Sequence, residues 1–426
     1  MLVVQKFGGT SVADLARIRA CAARSLRLAR DGHQVVVVVS AMAGETNRLI
    51  GLANELVGYD GSGKGPYVSH AKAGDTAHER ELDQLLATGE QASAALFAMA
   101  VQSQGGSAVS LVGRQIGMVT DGAFTRARIR GIRRERIDAE LSAGRIVVAA
   151  GFQGVDASGN VTTLGRGGSD TSAVALAAAL GADVCEILTD VDGVYTTDPR
   201  LVPSARKIDR ITHEEMIELA SLGAKVLQIR SVAFARRFGV PVHVRSSLHE
   251  REGTWIVPES PEMEAPVVSG VALDRNEAKV TVVGVPDVPG TVATIFGALG
   301  DAGIVVDMII QNASRDGITD VTFTVPEADL ERAAGILTDL RIEGRPLQVV
   351  TDPRICKISI VGLGMRTHAG VASRAFRALA AEKINVEMVS TSEIKVSVVV
   401  HERYGELALR VLHEAFGLGE APDASG

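Results

Sequence analysis

Residues 3–12 read VVQKFGGTSV. Val3 and Val4 lead into Gln5, Lys6 and Phe7, then two glycines, Gly8 and Gly9, then Thr10 and Ser11. A phosphate loop of the usual kind places its lysine after the glycines. Here the order is reversed. A strand ending at the lysine, a glycine turn and a helix from about Ser11 would bring an ammonium, backbone N–H groups and a helix N-terminus to one anion. The same residues also fit a plain strand, turn and helix with a snorkelling lysine. This stretch alone leaves both readings open.

Residues 162–173, TTLGRGGSDTSA, shift the balance. Gly165, Gly167 and Gly168 precede a helical run whose first turn holds Ser169, Asp170 and Thr171. An arginine between glycines, Arg166, has little structural purpose and suits a two-pronged grip on a carboxylate. Two glycine-rich strand-to-helix turns in one sheet can face each other across a cleft outside the strand C-termini.

The surrounding pattern supplies such a sheet. Apolar residues at Val12, Leu15, Ile18, Ala22, Leu26 and Ala29 form a helical stripe that stops at Asp31-Gly32. QVVVVVSAM (34–42) and RIVVAAGFQG (145–154) are continuous apolar strands of the kind covered on both faces. Thr212 and Glu215 make a capping box before the next helix. Strand and helix alternate, which is α/β architecture. The Glu- and Pro-rich stretch 248–266, with the only tryptophan, Trp255, reads as a linker closing a first domain at 1–247. Beyond it KVTVVGVPDVPG…DMII (279–310) repeats as KISIVGLGMRTHAG…EMVS (357–390), pairing Gly290 with Gly370, Phe296 with Phe376 and Met308 with Met388. Two copies of one small βαβ-type module follow, at 267–350 and 351–426.

Composition excludes several classes. Aromatic residues make up 4%, too few for a surface that stacks single-stranded nucleic acid. The net charge of −7 gives no general attraction to nucleic acid or anionic membrane, and the basic run Arg126–Arg136 reads as a solvated helix face. Cys21, Cys185 and Cys356 lie far apart in apolar contexts and read as reduced core residues. The N-terminus has no signal-peptide h-region and the uncharged stretch 91–113 contains Gln102, Gln104 and glycines, so a cytoplasmic protein is expected. Three motifs are decoys. GYDGSGK (58–64) has Gly65-Pro66 where a phosphate loop needs a hydroxyl and a helix; IVGLGMRT has Thr367 at the third glycine; DVDG (190–193) lacks the calcium-loop spacing.

With TDVDGVYTTDPR (189–200) and LGAKVL (222–227), the two glycine turns and the C-terminal repeat resemble aspartate kinases over essentially the whole chain. That resemblance implies an amino-acid-kinase αβα sandwich with a mainly parallel sheet, followed by two ferredoxin-like ACT modules. It implies transfer of a phosphoryl group from ATP, with Mg²⁺ carried mainly by the phosphates, to the side-chain carboxylate of L-aspartate. Lys6, Asp170 and Lys225 would be catalytic, the lysines as cations and Asp170 as their orienter. Thr46, Glu90, Arg166, Gly167, Gly168 and Ser169 would hold aspartate, with Glu90 on its ammonium. Lys6, Phe7, Gly8, Gly9, Ser40, Thr189, Asp190, Tyr195, Arg200 and Lys225 would line the nucleotide site. In the repeat, Asp287, Gly290, Asp307, Gln311, Asn312 and Ser392 match positions that bind lysine or threonine as end-product inhibitors. A homo-oligomer, or pairing with a short regulatory chain begun at Met263, is expected. The rival readings are a sibling kinase for another acidic substrate, which would not carry both residues 189–200 and the repeat, and a non-catalytic amino-acid sensor, which would lack Lys6, Arg166, Asp170 and Lys225.

Overall fold

The computed structural model describes residues 1–57, 76–221, 227–259, 267–312, 314, 316–366, 368 and 370–419. Lys225, Met263 and the decoy loop 58–64 lie outside these residues. Two compact units emerge, Met1–Val194 with Lys207–Met263, and Tyr195–Arg206 with Glu264–Gly426.

In the first unit the chain runs β1 (Leu2–Phe7), α1 (Leu15–Arg30), β2 (Gln34–Val39), α2 (Glu45–Leu56), α3 (Thr76–Ser103), β3 (Ala108–Leu111), β4 (Met118–Thr120), β5 (Ile129–Ile132), α4 (Glu135–Ser142), β6 (Ile146–Ala150), β7 (Gln153–Val155), β8 (Val161–Thr163), α5 (Gly168–Leu180), β9 (Val184–Thr189), β10 (Arg210–Thr212), α6 (His213–Ser221), α7 (Ile229–Phe238), β11 (Val242–Ser246) and β12 (Thr254–Val257). The main sheet has the order β10-β12-β11-β9-β1-β2-β6-β3. All its pairings are parallel except β11 with β12. A smaller sheet, β5-β4-β7-β8, stands beside it.

The valine run of β2 shows why this sheet is covered on both faces. Val35, Val37 and Val39 pack with Phe7, Phe97, Ala22 and Val148 under α1 and α3. Val36 and Val38 alternate to the opposite face, where α5 lies against β1, β2 and β9, and are equally buried. The Thr212–Glu215 capping box forms, each side chain accepting from the other's backbone N–H.

Two readings of this region need correction. The linker read at 248–266 holds a strand, because TWIV alternates and Trp255 stacks on His243 of β11 with ring centroids 4.0 Å apart. The run from Arg126 to Arg136 is not a helix face: Ile129–Ile132 is strand, and helix begins only at Glu135.

The second unit holds β13 (Gly270–Asp274), β14 (Ala278–Pro286), α8 (Thr291–Asp301), β15 (Asp307–Gln311), β16 (Ile318–Val325), α9 (Leu330–Asp339), a ribbon of β17 (Arg341–Ile342) and β18 (Arg345–Pro346), β19 (Gln348–Asp352), β20 (Ile355–Val361), α10 (Val371–Ala381), β21 (Met388–Thr391), β22 (Lys395–His401) and α11 (Gly405–Ala415). Its two four-stranded sheets are ordered β15-β16-β14-β19 and β13-β20-β22-β21. The repeat is therefore real, but its copies interleave. β13 precedes the first copy and completes the sheet of the second, so a boundary at 350/351 does not separate them. No strand follows α11 among the described residues, and β13 covers the β20 edge that would otherwise stay unpaired.

The first domain read as 1–247 is also interrupted. Residues 195–206 pack into the second unit: Leu201 and Val202 join its core, Thr196 Oγ1 lies 2.9 Å from His413 Nε2, and Val271 N–H donates to Thr196 O at 2.8 Å.

Candidate active site

A cavity of about 610 Å³ opens at the C-terminal ends of β1, β2 and β6. Its floor is the turn after β1. Gly8 N–H donates to Leu188 O, and Ser11 and Val12 N–H return to Gly8 O. Gly9 is required by space: a Cβ there would stand 2.9 Å from Ala41 O of the next turn. The two backbones meet this closely where the cavity begins.

Lys6 and Asp170 form the centre. Lys6 ends β1 and Asp170 sits in the first turn of α5, and Lys6 Nζ is 2.6 Å from Asp170 Oδ1. Each is about nine-tenths buried, at 9% and 8% exposure. The N-terminus of α5 begins at Gly167, whose φ of 65° and lack of a Cβ let it lie against Gln228; a Cβ would fall 2.4 Å from the glutamine side chain.

Glu90 enters from α3. It is 4% exposed; Oε1 accepts Ala41 N–H at 3.0 Å, and Oε2 has no hydrogen-bond partner among the described residues. Burial lifts its carboxyl to about 7, against the opposing pull of the Ala41 N–H. A buried carboxylate oxygen without a donor is expensive and marks a place prepared for a cationic or hydrogen-bonding group. Arg166 lies on the loop across the cavity with an exposed side chain.

Of the residues read from the sequence, Lys6, Gly9, Ser40, Thr46, Glu90, Arg166, Gly167, Gly168, Ser169 and Asp170 all line this one cavity. Others are placed differently. The Phe7 ring is fully buried against Phe97, so this residue offers the site only backbone. Thr189 ends β9, beside β1, and Asp190 follows it; their side chains bond each other, and they do not line the cavity. Tyr195 and Arg200 belong to the second unit, where Arg200 chelates Asp198.

The sequence reading missed several wall residues. Asn47, Ile50, Gly51 and Asn54 reach the cavity from α2, and their spacing of three, one and three is a helical face that could have been noticed. Phe152 also lines it, with a left-handed φ of 67° held by Ser172 Oγ accepting its N–H and by Leu164 N–H donating to its carbonyl. Nothing in the sequence marks that conformation.

The regulatory positions divide. Gly290 caps α8 with φ 102°, as Gly370 caps α10 with φ 100°. Asp287 follows β14 at the end of the sheet where β15 ends in Gln311, with Asn312 after it. Ser392 follows β21 at the equivalent place in the other sheet. Asp307 stands at the opposite end of β15 and is paired with Lys357 at 2.6 Å. That separation and commitment set it apart from the other five. The pairing recurs in reverse. Lys279, the repeat counterpart of Lys357, pairs with Glu387, the counterpart of Asp307. Each copy thus holds the other by a lysine at the start of its central strand, with Met308 and Met388 in the small core they share.

Among the described residues no helix is long and apolar enough to cross a membrane, and no cluster of three His, Cys, Asp or Glu could hold a metal ion.

A mainly parallel sheet, a lysine that precedes its glycine turn and a helix N-terminus bringing an aspartate to that lysine define an amino-acid kinase, here followed in sequence by interleaved ACT modules. The amino acid kinase family model matches residues 1–246, and ACT domain models match 279–342 and 358–416. An aspartokinase of Pseudomonas aeruginosa is 53% identical over 427 residues, spanning 100% of this chain and 99% of that protein. Two crystal structures of E. coli aspartokinase III, each 28% identical, cover 97% of this chain and 99% of theirs. The R-state complex with aspartate and ADP has a TM-score of 0.77, and the T-state complex with lysine and aspartate one of 0.72. The chain belongs to the aspartate kinases.

Proposed function

We propose that the cavity binds L-aspartate and the phosphate end of ATP, and that its residues transfer the γ-phosphoryl group to the aspartate side-chain carboxylate, giving 4-phospho-L-aspartate. The observation that carries this reading is the partnerless oxygen of Glu90 in the same cavity as Arg166 and the Lys6–Asp170 pair. An α-amino acid needs one anion for its ammonium and one cation for its α-carboxylate, and Glu90 and Arg166 supply them from opposite walls.

A carboxylate nucleophile has no proton to give up. The chemical demand is charge neutralisation and alignment. Lys6 meets the moving phosphoryl group, and Asp170 holds its ammonium in place. The N-terminus of α5 adds its dipole toward the same charge. Gly9 lets phosphate oxygens reach backbone N–H groups. Lys225 is assigned the second cation on the strength of its motif. Mg²⁺ enters on the phosphates, whose charge it neutralises; Thr189, Asp190, Tyr195 and Arg200 are assigned to the nucleotide.

Regulation follows from the ACT pair. Lysine, threonine or both are proposed to bind near Asp287, Gly290, Gln311, Asn312 and Ser392, as lysine binds the E. coli relative. Met263 is proposed as an internal start for a short chain carrying both modules. The chain is expected to act as an oligomer.

The test is a hydroxamate assay with ATP, Mg²⁺ and a panel of acidic amino acids, with lysine and threonine added singly and together. Aspartate should be the preferred acceptor. Turnover of another acidic amino acid with none of aspartate would overturn the substrate, and indifference to both effectors would overturn the regulation.

A further inference from the structure

Resting on that substrate reading, we infer that Asp83 is a positioning residue that fixes Arg166 relative to Glu90 and so sets which acidic amino acid the cavity accepts. Asp83 and Glu90 share α3 and are seven residues apart, two helical turns, so both project from one face. Glu90 reaches the cavity, whereas Asp83 does not line it.

Asp83 is fully buried, is ion-paired with no cation among the described residues, and uses both oxygens. Oδ2 accepts Thr163 N–H at 2.7 Å and Thr125 N–H at 2.9 Å; Oδ1 accepts the Thr163 hydroxyl at 2.5 Å. Burying a carboxyl is unfavourable, and here burial raises it to about 6 against those three donors. The donors are informative. Thr163 is the last residue of β8, three before Arg166. Thr125 has a left-handed φ of 64°, a strained conformation for a β-branched residue, and its carbonyl lies 3.1 Å from where a Gly165 Cβ would stand.

Two further side chains complete the clamp. Arg230 of α7 donates to Leu164 O and Ala127 O, both at 2.9 Å. Gln228 donates to Arg166 O at 3.0 Å. The backbone at 163, 164 and 166 is thus tied in turn to α3, α7 and the residue that caps α7. Arg166 stands on a loop whose stem is fastened to the helix that carries Glu90. In the proposed complex these two groups take the α-carboxylate and ammonium, so α3 determines where the rest of the substrate lies and how long a side chain still reaches the phosphoryl group.

The alternative is that Asp83 only stabilises the fold. Steady-state kinetics separate the two. The full chain is assayed with ATP and, in parallel, aspartate and glutamate, beginning with the wild type. A wild type that does not turn over aspartate refutes the substrate reading and the inference with it. Given wild-type turnover, Asp83→Ala should raise the aspartate KM about tenfold or more. Its ATP KM and saturating kcat should stay within about threefold, and its preference for aspartate over glutamate in kcat/KM should fall at least about fivefold. Thr163→Val removes only the hydroxyl donor and should raise the aspartate KM about threefold or more, while Thr163→Ser, which keeps it, should match wild type. A folded Asp83→Ala with wild-type aspartate KM and selectivity overturns the inference. Should Asp83→Ala fail to fold, the threonine pair decides: equal aspartate KM values in Val and Ser variants overturn it equally.

Discussion

Replacing Glu90 by glutamine should stabilise the empty protein and weaken its hold on aspartate, and both effects can be sized. The carboxyl is held at about 7 in the folded chain against 4.5 for the free group. The folded state therefore binds more protons between those values. The contribution is most favourable below 4.5, declines as pH rises toward 7, and is fully lost above it, the reverse of an acid held in an ion pair. The interval corresponds to about 3 kcal/mol at 1.36 kcal/mol per pH unit. Glutamine keeps an oxygen for Ala41 N–H and carries no charge. At pH 8 the kinase transition should rise by about 6–12 °C, taking 2–4 °C per kcal/mol for a unit of this size. Bound aspartate reverses the demand, because its ammonium favours the ionised carboxyl. At pH 7, where Glu90 is about half protonated, aspartate binding should release about half a proton, and almost none at pH 8.5. Calorimetry in buffers of different ionisation enthalpy reads this directly. Glu90→Gln should abolish the release and lower aspartate affinity about tenfold to a hundredfold, the scale of a lost charge-assisted hydrogen bond. A binding enthalpy independent of buffer at pH 7, or wild-type affinity in the glutamine variant, would refute the assignment of Glu90 to the ammonium.

Three other outcomes are expected. Lys6→Ala and Asp170→Ala should each lower kcat at least about a hundredfold while changing the ATP KM less, as loss of a transition-state charge stabiliser does; near-normal single-turnover rates would remove them from the chemistry. Arg166→Lys should raise the aspartate KM strongly and leave nucleotide affinity intact, because a point charge does not reproduce a two-pronged grip; competition binding of ADP checks the second half. Lys357→Met should destabilise the second unit by about 3–5 kcal/mol, since Glu277 and Asp307 then lose their shared cation. Lys279→Met, at a pair with 23% and 20% side-chain exposure, should cost less, and equal denaturant midpoints for the two would contradict the asymmetry.

The sheet was legible because its residues are redundant signals. Five consecutive valines in β2 can only be covered on both faces; the two glycine turns do meet at one cavity, but the second follows β8 of the smaller sheet and not a strand of the parallel sheet as the sequence suggested. Glu90 was legible as a position within a resemblance, but not in its state. That one oxygen lacks a donor depends on what fails to approach it, which no local pattern encodes. Asp83 was not singled out at all, since an aspartate in an amphipathic helix reads as exposed until the chain brings Thr125 and Thr163 to it. The repeat made the correspondence of Lys279 with Lys357 visible. It did not disclose that each lysine serves the opposite copy, because a repeat shows equivalence and not partnership.

The segment 195–206 shows the same limit most plainly. In sequence it continues one motif, TDVDGVYTTDPR, of which Thr189, Asp190, Tyr195 and Arg200 were assigned to the nucleotide. In the structure the motif is divided after Val194. Val194 N–H is held by Thr254 Oγ1 of β12, whereas Thr196 is bonded to Val271 and faces His413 and the carbonyl of Leu418. A motif records which residues occur together, and the division depends on where Leu201 and Val202 find apolar neighbours, which lie among β20, α10 and α11. The chain crosses between units at Val194–Tyr195 and returns at Arg206–Lys207. On the proposed assignment, Tyr195 and Arg200 serve the nucleotide while their backbone is fastened to the core that an effector would rearrange. If effector and nucleotide each bind two arrangements of that core unequally, each changes the other's affinity by the same factor, because the coupling is one free energy read from two ends.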